Sequence, residues 1–91
     1  MFFIRSKINN TIVSIKNLEI NVFAGETFID TSTGVEYKPL CITTKLGTSK
    51  IIAYDLDHIG PAVEAVFQFI YNFRFSENPF KIVDIEDIYD C

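Results

Sequence analysis

The sequence predicts an α+β fold: an antiparallel sheet of about five or six strands, laid out as hairpins and a meander, covered on one face by a single helix over about 61–75 and closed by a C-terminal strand over about 81–85. Three observations predict it. Up to Leu56 the apolar residues fall in short runs separated by turn-forming residues. From Gly60 the apolar period changes to that of a helix. Beyond "SENPF" one more short β-type run, "KIVDI", follows.

The elements follow in order. "FFIRSKI" and "TIVSI" flank Asn9-Asn10, a pair that tolerates the left-handed backbone of a tight hairpin. "LEINVFA" sets Leu18, Ile20 and Val22 against Glu19 and Asn21, the alternation of a sheet with one buried face. Gly25-Glu26 breaks it, "TFID" forms a short strand, and "TSTG" turns the chain into "VEYKPLCITTKL". Pro39 brings no ladder donor, which predicts an edge strand or a bulge near the middle of this run. "LGTS" then turns into "KIIAYDL". Pro61 suits a first helical turn, so Gly60 is the predicted cap. Phe69, Ala62, Phe73, Val66, Ile70, Val63 and Phe67 lie on one arc of about 160°, interrupted by Arg74. Pro79 steers its predecessor out of the helix. Ile82, Ile85 and Tyr89 in the last segment also suit a helical turn.

Length and composition set limits. A chain of 91 residues builds one small domain and removes roughly two-thirds of the surface of the unfolded chain. With 48% hydrophobic residues and three prolines, it has the apolar material to fold without metals or disulfides and lacks the composition of disorder. The net charge of −4 is uneven. Acids and bases balance through Val83, and the excess sits in Asp84, Glu86, Asp87 and Asp90. The bases are scattered singly, unlike the clusters that bind phosphate backbones, so no direct nucleic-acid binding is expected. Cys41 lies mid-strand and Cys91 is the last residue; the simplest reading is a reduced, cytoplasmic chain. The opening apolar run is too short for a secretory signal, and none reaches the ~20 residues of a membrane span.

The stretch "IIAYDLDHIG" resembles the first motif of the haloacid dehalogenase superfamily, an apolar strand followed by D-x-D. The resemblance covers about ten residues. It implies Asp55 as a nucleophile, Asp57 as an acid/base and a doubly wound parallel sheet. Only about 31 residues follow the motif, too few for the crossovers such a sheet requires. The expectation is therefore a non-catalytic chain without cofactor or metal, in which Asp55 and Asp57 end a strand and favour the helix N-terminus. His58 stands beside them in the loop, and Cys41 reads as a buried, inert thiol. The glycines form no phosphate loop, and no zinc spacing is present.

Two features point to binding. Asp84, Glu86, Asp87, Tyr89 and Asp90 interleave acids with apolar anchors, suited to a protein partner with a basic surface. Phe67 and Phe69 lie at the edges of the helix arc; they either pack on outer strands or mediate self-association as a homodimer. The leading expectation is a small acidic protein-interaction module. In size and charge it looks like the anti-restriction and anti-CRISPR inhibitors of phages and mobile elements, an analogy of class that rests on no motif. The alternatives are a small-molecule binder or enzyme with a sheet–helix pocket rimmed by Tyr54, Asp55, Asp57 and His58, and a structural subunit of an assembly.

Overall fold

A computed structural model describes residues 2–15, 20–73 and 81–90. The chain runs β1 (Phe2–Ser6), β2 (Thr11–Ile15), β3 (Asn21–Ala24), β4 (Phe28–Ile29), β5 (Glu36–Thr44), β6 (Gly47–Asp55), α1 (Ile59–Phe73), β7 (Lys81–Asp84) and α2 (Ile85–Ile88). The α+β class holds: the strands are mostly antiparallel and α1 packs on them. The strands divide into two sheets rather than one, with orders β2-β1-β7 and β3-β5-β4, where β6 pairs with the other edge of β5.

The β1–β2 hairpin forms where Asn9-Asn10 predicts it, with Ile4 opposite Val13. Asn10 takes φ 52°, the left-handed conformation that asparagine tolerates better than most residues. The closing strand β7 lies parallel to β1, with Val83 beside Ile4. It stops at Asp84, one residue before the predicted end, and the chain turns directly into α2. The helical alternative for this last segment is thus realised from Ile85 onward.

Pro39 is not on an edge strand, because β5 is central, flanked by β3 and β4 on one side and β6 on the other. The N and O of a strand residue point to the same side. The Pro39 carbonyl accepts from the Gly25 amide at 2.8 Å, so the missing Pro39 donor faces the gap between the end of β3 and the start of β4. Proline is tolerated there because no ladder bond has to be made. A register break lies beside Pro39, but not in the strand for which a bulge is predicted: Leu40 pairs with Ile52 and Cys41 with Lys50. The additional residue is Ile51, on β6. Its carbonyl accepts from the Asn9 side chain at 2.9 Å, which ties the hairpin turn of one sheet to the bulge of the other.

Helix α1 begins at Ile59, two residues before Pro61, so Gly60 is not its cap. The Ala62 amide donates to the His58 carbonyl at 2.9 Å, which makes His58 the capping position. Pro61 still falls among the first helical residues, whose N–H groups have no partner within the helix. Ile59, Ala62, Val66 and Ile70 form the buried face. They join Val22, Leu40, Ile42, Ile51 and Tyr54 of the larger sheet, Ile4, Val13 and Ile15 of the smaller one, and Ile85 of α2 in one core. Arg74 and the "SENPF" stop lie outside the described residues, as do Leu18, Glu19 and Cys91.

Candidate functional site

The acidic C-terminal segment is built into the fold. The Asp84 carboxylate, 9% exposed, accepts from Arg5 Nε at 2.7 Å and lies 3.3 Å from Lys7 Nζ. The Arg5 hydrogen bond, and then that of Lys7, holds the Asp84 carboxyl below the usual carboxylate range, and the same bond raises the Arg5 pKa. Glu86 Oε1 accepts from the Ser6 hydroxyl at 3.2 Å and the Lys7 amide at 3.1 Å. It thereby organises the turn after β1, and Ser6 Oγ in turn accepts from the Asn9 amide at 3.2 Å. Tyr89 meets Tyr54 edge to face at 5.4 Å, and its carbonyl accepts from the Tyr54 hydroxyl at 3.4 Å. Of the acids at this end, Asp87 and Asp90 are the ones left exposed. The segment also contributes the fully buried Ile85. Removing it would therefore dismantle part of the core as well as a charged surface.

Of Tyr54, Asp55, Asp57 and His58, Asp55 and Asp57 line one surface depression. Tyr54 is buried under Tyr89. Asp55, at the end of β6, folds onto the first turn toward α1: its Oδ1 accepts from the His58 amide at 3.0 Å and lies 2.6 Å from His58 Nδ1. The side-chain hydrogen bond to His58 keeps the Asp55 carboxyl below its ordinary range. Asp57 points to solvent. Among the described residues, no group of three His, Cys, Asp or Glu is placed to hold a metal. The strand carrying D-x-D pairs antiparallel with β5, unlike the parallel sheet that the motif implies. Cys41 is buried, and burial pushes its thiol pKa up. An added Cβ at Gly25 would stand 2.7 Å from Pro39 Cγ and 3.2 Å from Cys41 Sγ, so this strand end lies close over that thiol.

The two helix aromatics separate. Phe69 stacks on Phe73 at 4.9 Å and packs against the core. Phe67 is 47% exposed and stacks on Tyr71 at 6.5 Å, one turn further along the same outward face.

A different surface emerges at the end of the larger sheet, where the β4–β5 turn meets the β6–α1 turn. Cross-strand register puts Phe28, Tyr37 and Asp55 in one row and Ile29 opposite Glu36 in the next. Neighbouring residues on a strand point to opposite faces, so Phe28 and Ile29 cannot both be covered by one helix. Both are exposed. On one face Phe28, stacked on Tyr37 at 5.9 Å, borders an open groove of about 430 Å³ with Ile29, Asp30, Thr31 and Ala53. Around the end lies an open cleft of about 510 Å³, lined by Ile29, Gly34, Val35 and Glu36 of the β4–β5 segment and by Asp55, Leu56 and Asp57 at the end of β6. None of the residues lining either depression is Lys or Arg.

The turns on both sides satisfy their own backbone. Asp30 Oδ1 accepts from the Ser32 amide at 2.9 Å and the Ser32 hydroxyl at 2.7 Å, bonds that hold the Asp30 carboxyl below its usual range. The Gly34 amide donates to the Asp30 carbonyl at 2.7 Å, and Gly34 takes φ 73°, a conformation glycine adopts without steric cost. None of these bonds uses the Ile29, Val35 or Leu56 side chains, whose exposures are 57%, 40% and 45%. The sequence holds a signal for this surface: "TFIDTSTGV" places Phe28 and Ile29 in a run too short to be buried on both faces, with Val35 just past the turn. No helix among the described residues is long and apolar enough to cross a membrane. No protein family, no curated protein and no solved structure was found to match the chain.

Proposed function

We propose that this chain is a non-catalytic interaction module that docks on a basic protein surface through the β4–β5–β6 end of its larger sheet. The observation that supports this reading is the coincidence of exposed Phe28, Ile29, Val35 and Leu56 with Asp30, Glu36, Asp55 and Asp57 around two adjoining depressions. A clustered apolar surface framed by charge of one sign is the pattern of a protein-binding patch. The acids steer a basic partner and select against acidic ones, while the apolar side chains supply desolvation energy once contact is made. Asp87 and Asp90 extend the negative field from another part of the molecule, whereas Asp84 and Glu86 serve the fold. Occupying a basic surface of a host protein, as an inhibitor does, is the role this arrangement suits.

The experiment is affinity capture with the full chain from its native host, with bound proteins identified by mass spectrometry. The wild type should capture a protein with a basic surface. Ile29→Ser with Leu56→Ser should lose it, and Asp87→Asn with Asp90→Asn should keep it. If the first pair retains the partner and the second loses it, the docking surface is the C-terminal one and the present assignment is wrong.

A further inference from the structure

We infer that the cleft between the β4–β5 and β6–α1 turns receives an arginine side chain of the partner. The inference rests on the docking surface proposed above and names what occupies one of its two depressions. The cleft is chemically mixed: Ile29, Val35 and Leu56 offer apolar contact and Glu36, Asp55 and Asp57 offer carboxylates, with no basic residue among its lining. An occupant that matches both must carry an apolar stem and a cationic head. Lysine and arginine both have such stems. Arginine fits better, because its guanidinium is planar, weakly hydrated and able to bridge two carboxylates, whereas an ammonium is a compact, strongly hydrated point charge. Asp55 is fixed toward His58 at 2.6 Å, and its own row includes Tyr37. The bridging role therefore falls to Glu36 and Asp57, which are both exposed and reach the cleft from different segments, β5 and the β6–α1 turn.

The ring of Tyr37 and the open groove beside Phe28 lie across β4 from the cleft, with Ile29 lining both depressions. A residue next to the arginine in an extended partner segment would point to the opposite side, as alternation along a strand requires. The recognised element is accordingly an arginine flanked by apolar residues.

The test uses the isotope-labelled full chain and three capped pentapeptides, Gly-Val-X-Val-Gly, in which X is arginine, lysine or uncharged citrulline. Amide shifts are followed by NMR during titration. The arginine peptide should shift Ile29, Val35, Glu36, Leu56 and Asp57 in a saturable way. The lysine peptide should bind about two- to fivefold more weakly, and the citrulline peptide should give no saturable shift. Glu36→Gln or Asp57→Asn should each weaken arginine binding by about two- to fivefold, the range of an exposed ion pair. Equal binding of arginine and citrulline, equal binding of arginine and lysine, or shifts centred away from the cleft would overturn the inference. Should partner capture depend on Ile29 and Leu56 while the arginine peptide shifts nothing, the arginine assignment falls and the docking surface stands. Should the arginine peptide bind while capture ignores Ile29 and Leu56, the docking surface falls instead.

Discussion

Replacing Ile85 by alanine tests whether the acidic C-terminal segment is a structural part of the fold. Ile85 is 0% exposed and belongs to the same core as Ile4 of β1 and Val66 of α1. Deleting three carbons costs ~2.4 kcal/mol at about 0.8 kcal/mol per buried carbon. The cavity left behind raises the expected loss to roughly 2–5 kcal/mol, as for other isoleucine-to-alanine changes in cores. At ~0.05–0.15 kcal/mol per residue, a chain of 91 residues has about 5–14 kcal/mol to lose. The variant should therefore be substantially weakened or unfolded. A 3 kcal/mol loss would lower the melting temperature by roughly 12–24 °C. Urea unfolding followed by circular dichroism measures it, with Asp87→Ala on the exposed side of α2 as a control expected within about 0.5 kcal/mol of wild type. A midpoint for Ile85→Ala within that same margin, at unchanged slope, would refute the burial argument and leave the C-terminal segment as an appendage.

Further outcomes follow from single contacts. The Asp84 carboxyl is depressed by Arg5 and Lys7, so the stability it contributes is present above its unfolded pKa of about 3.9 and is lost as pH falls through the lower folded value. Thermal scans from pH 6 down to pH 2 should show Asp84→Asn less stable than wild type at the upper end and the two curves converging at the acid end; parallel curves would exclude the linkage. Gly25→Ala places a methyl against Pro39 and should cost about 1–3 kcal/mol. Pro39→Ala should relieve part of that cost, so a double-mutant cycle by chemical unfolding should be clearly non-additive. Asn9→Ala leaves the Ile51 carbonyl at the β6 bulge without its side-chain donor and should destabilise by about 1–2 kcal/mol, read in the same assay.

What could be read in advance was local. Asn9-Asn10 marks its hairpin because the left-handed φ is a property of those residues. The arc of Ala62, Val66 and Ile70 marks its buried face because the helical period is fixed. Pairing across the chain is another matter. Nothing near Lys81 announces a parallel partner at Phe2, since strand neighbours are chosen by the collapse of the whole core. For the same reason Asp84 and Glu86 look like surface charges in sequence, yet Asp84 and one oxygen of Glu86 are bonded to Arg5, Lys7 and Ser6, about 80 positions away. Pro39 shows the limit of a residue rule. Its missing donor predicts an edge strand or a bulge in β5; instead, a break between two short strands on the same side of β5 leaves it facing no ladder partner, and the extra residue falls on β6. The helix starts at Ile59, two residues before Pro61, and this leaves Pro61 within the first turn, where a missing N–H costs nothing. The β4 surface is only hinted at by the shortness of its apolar run, because exposure is decided by what the rest of the chain leaves uncovered.

The most direct measurement is a calorimetric titration of the purified partner into wild-type chain, into the Ile29→Ser, Leu56→Ser variant and into the Asp87→Asn, Asp90→Asn variant, at two salt concentrations. Binding should be at least about tenfold weaker for the first variant and near wild type for the second, and the affinity should fall as salt rises. Unchanged affinity with Ile29 and Leu56 replaced, or indifference of the wild type to salt, would contradict the proposed docking surface.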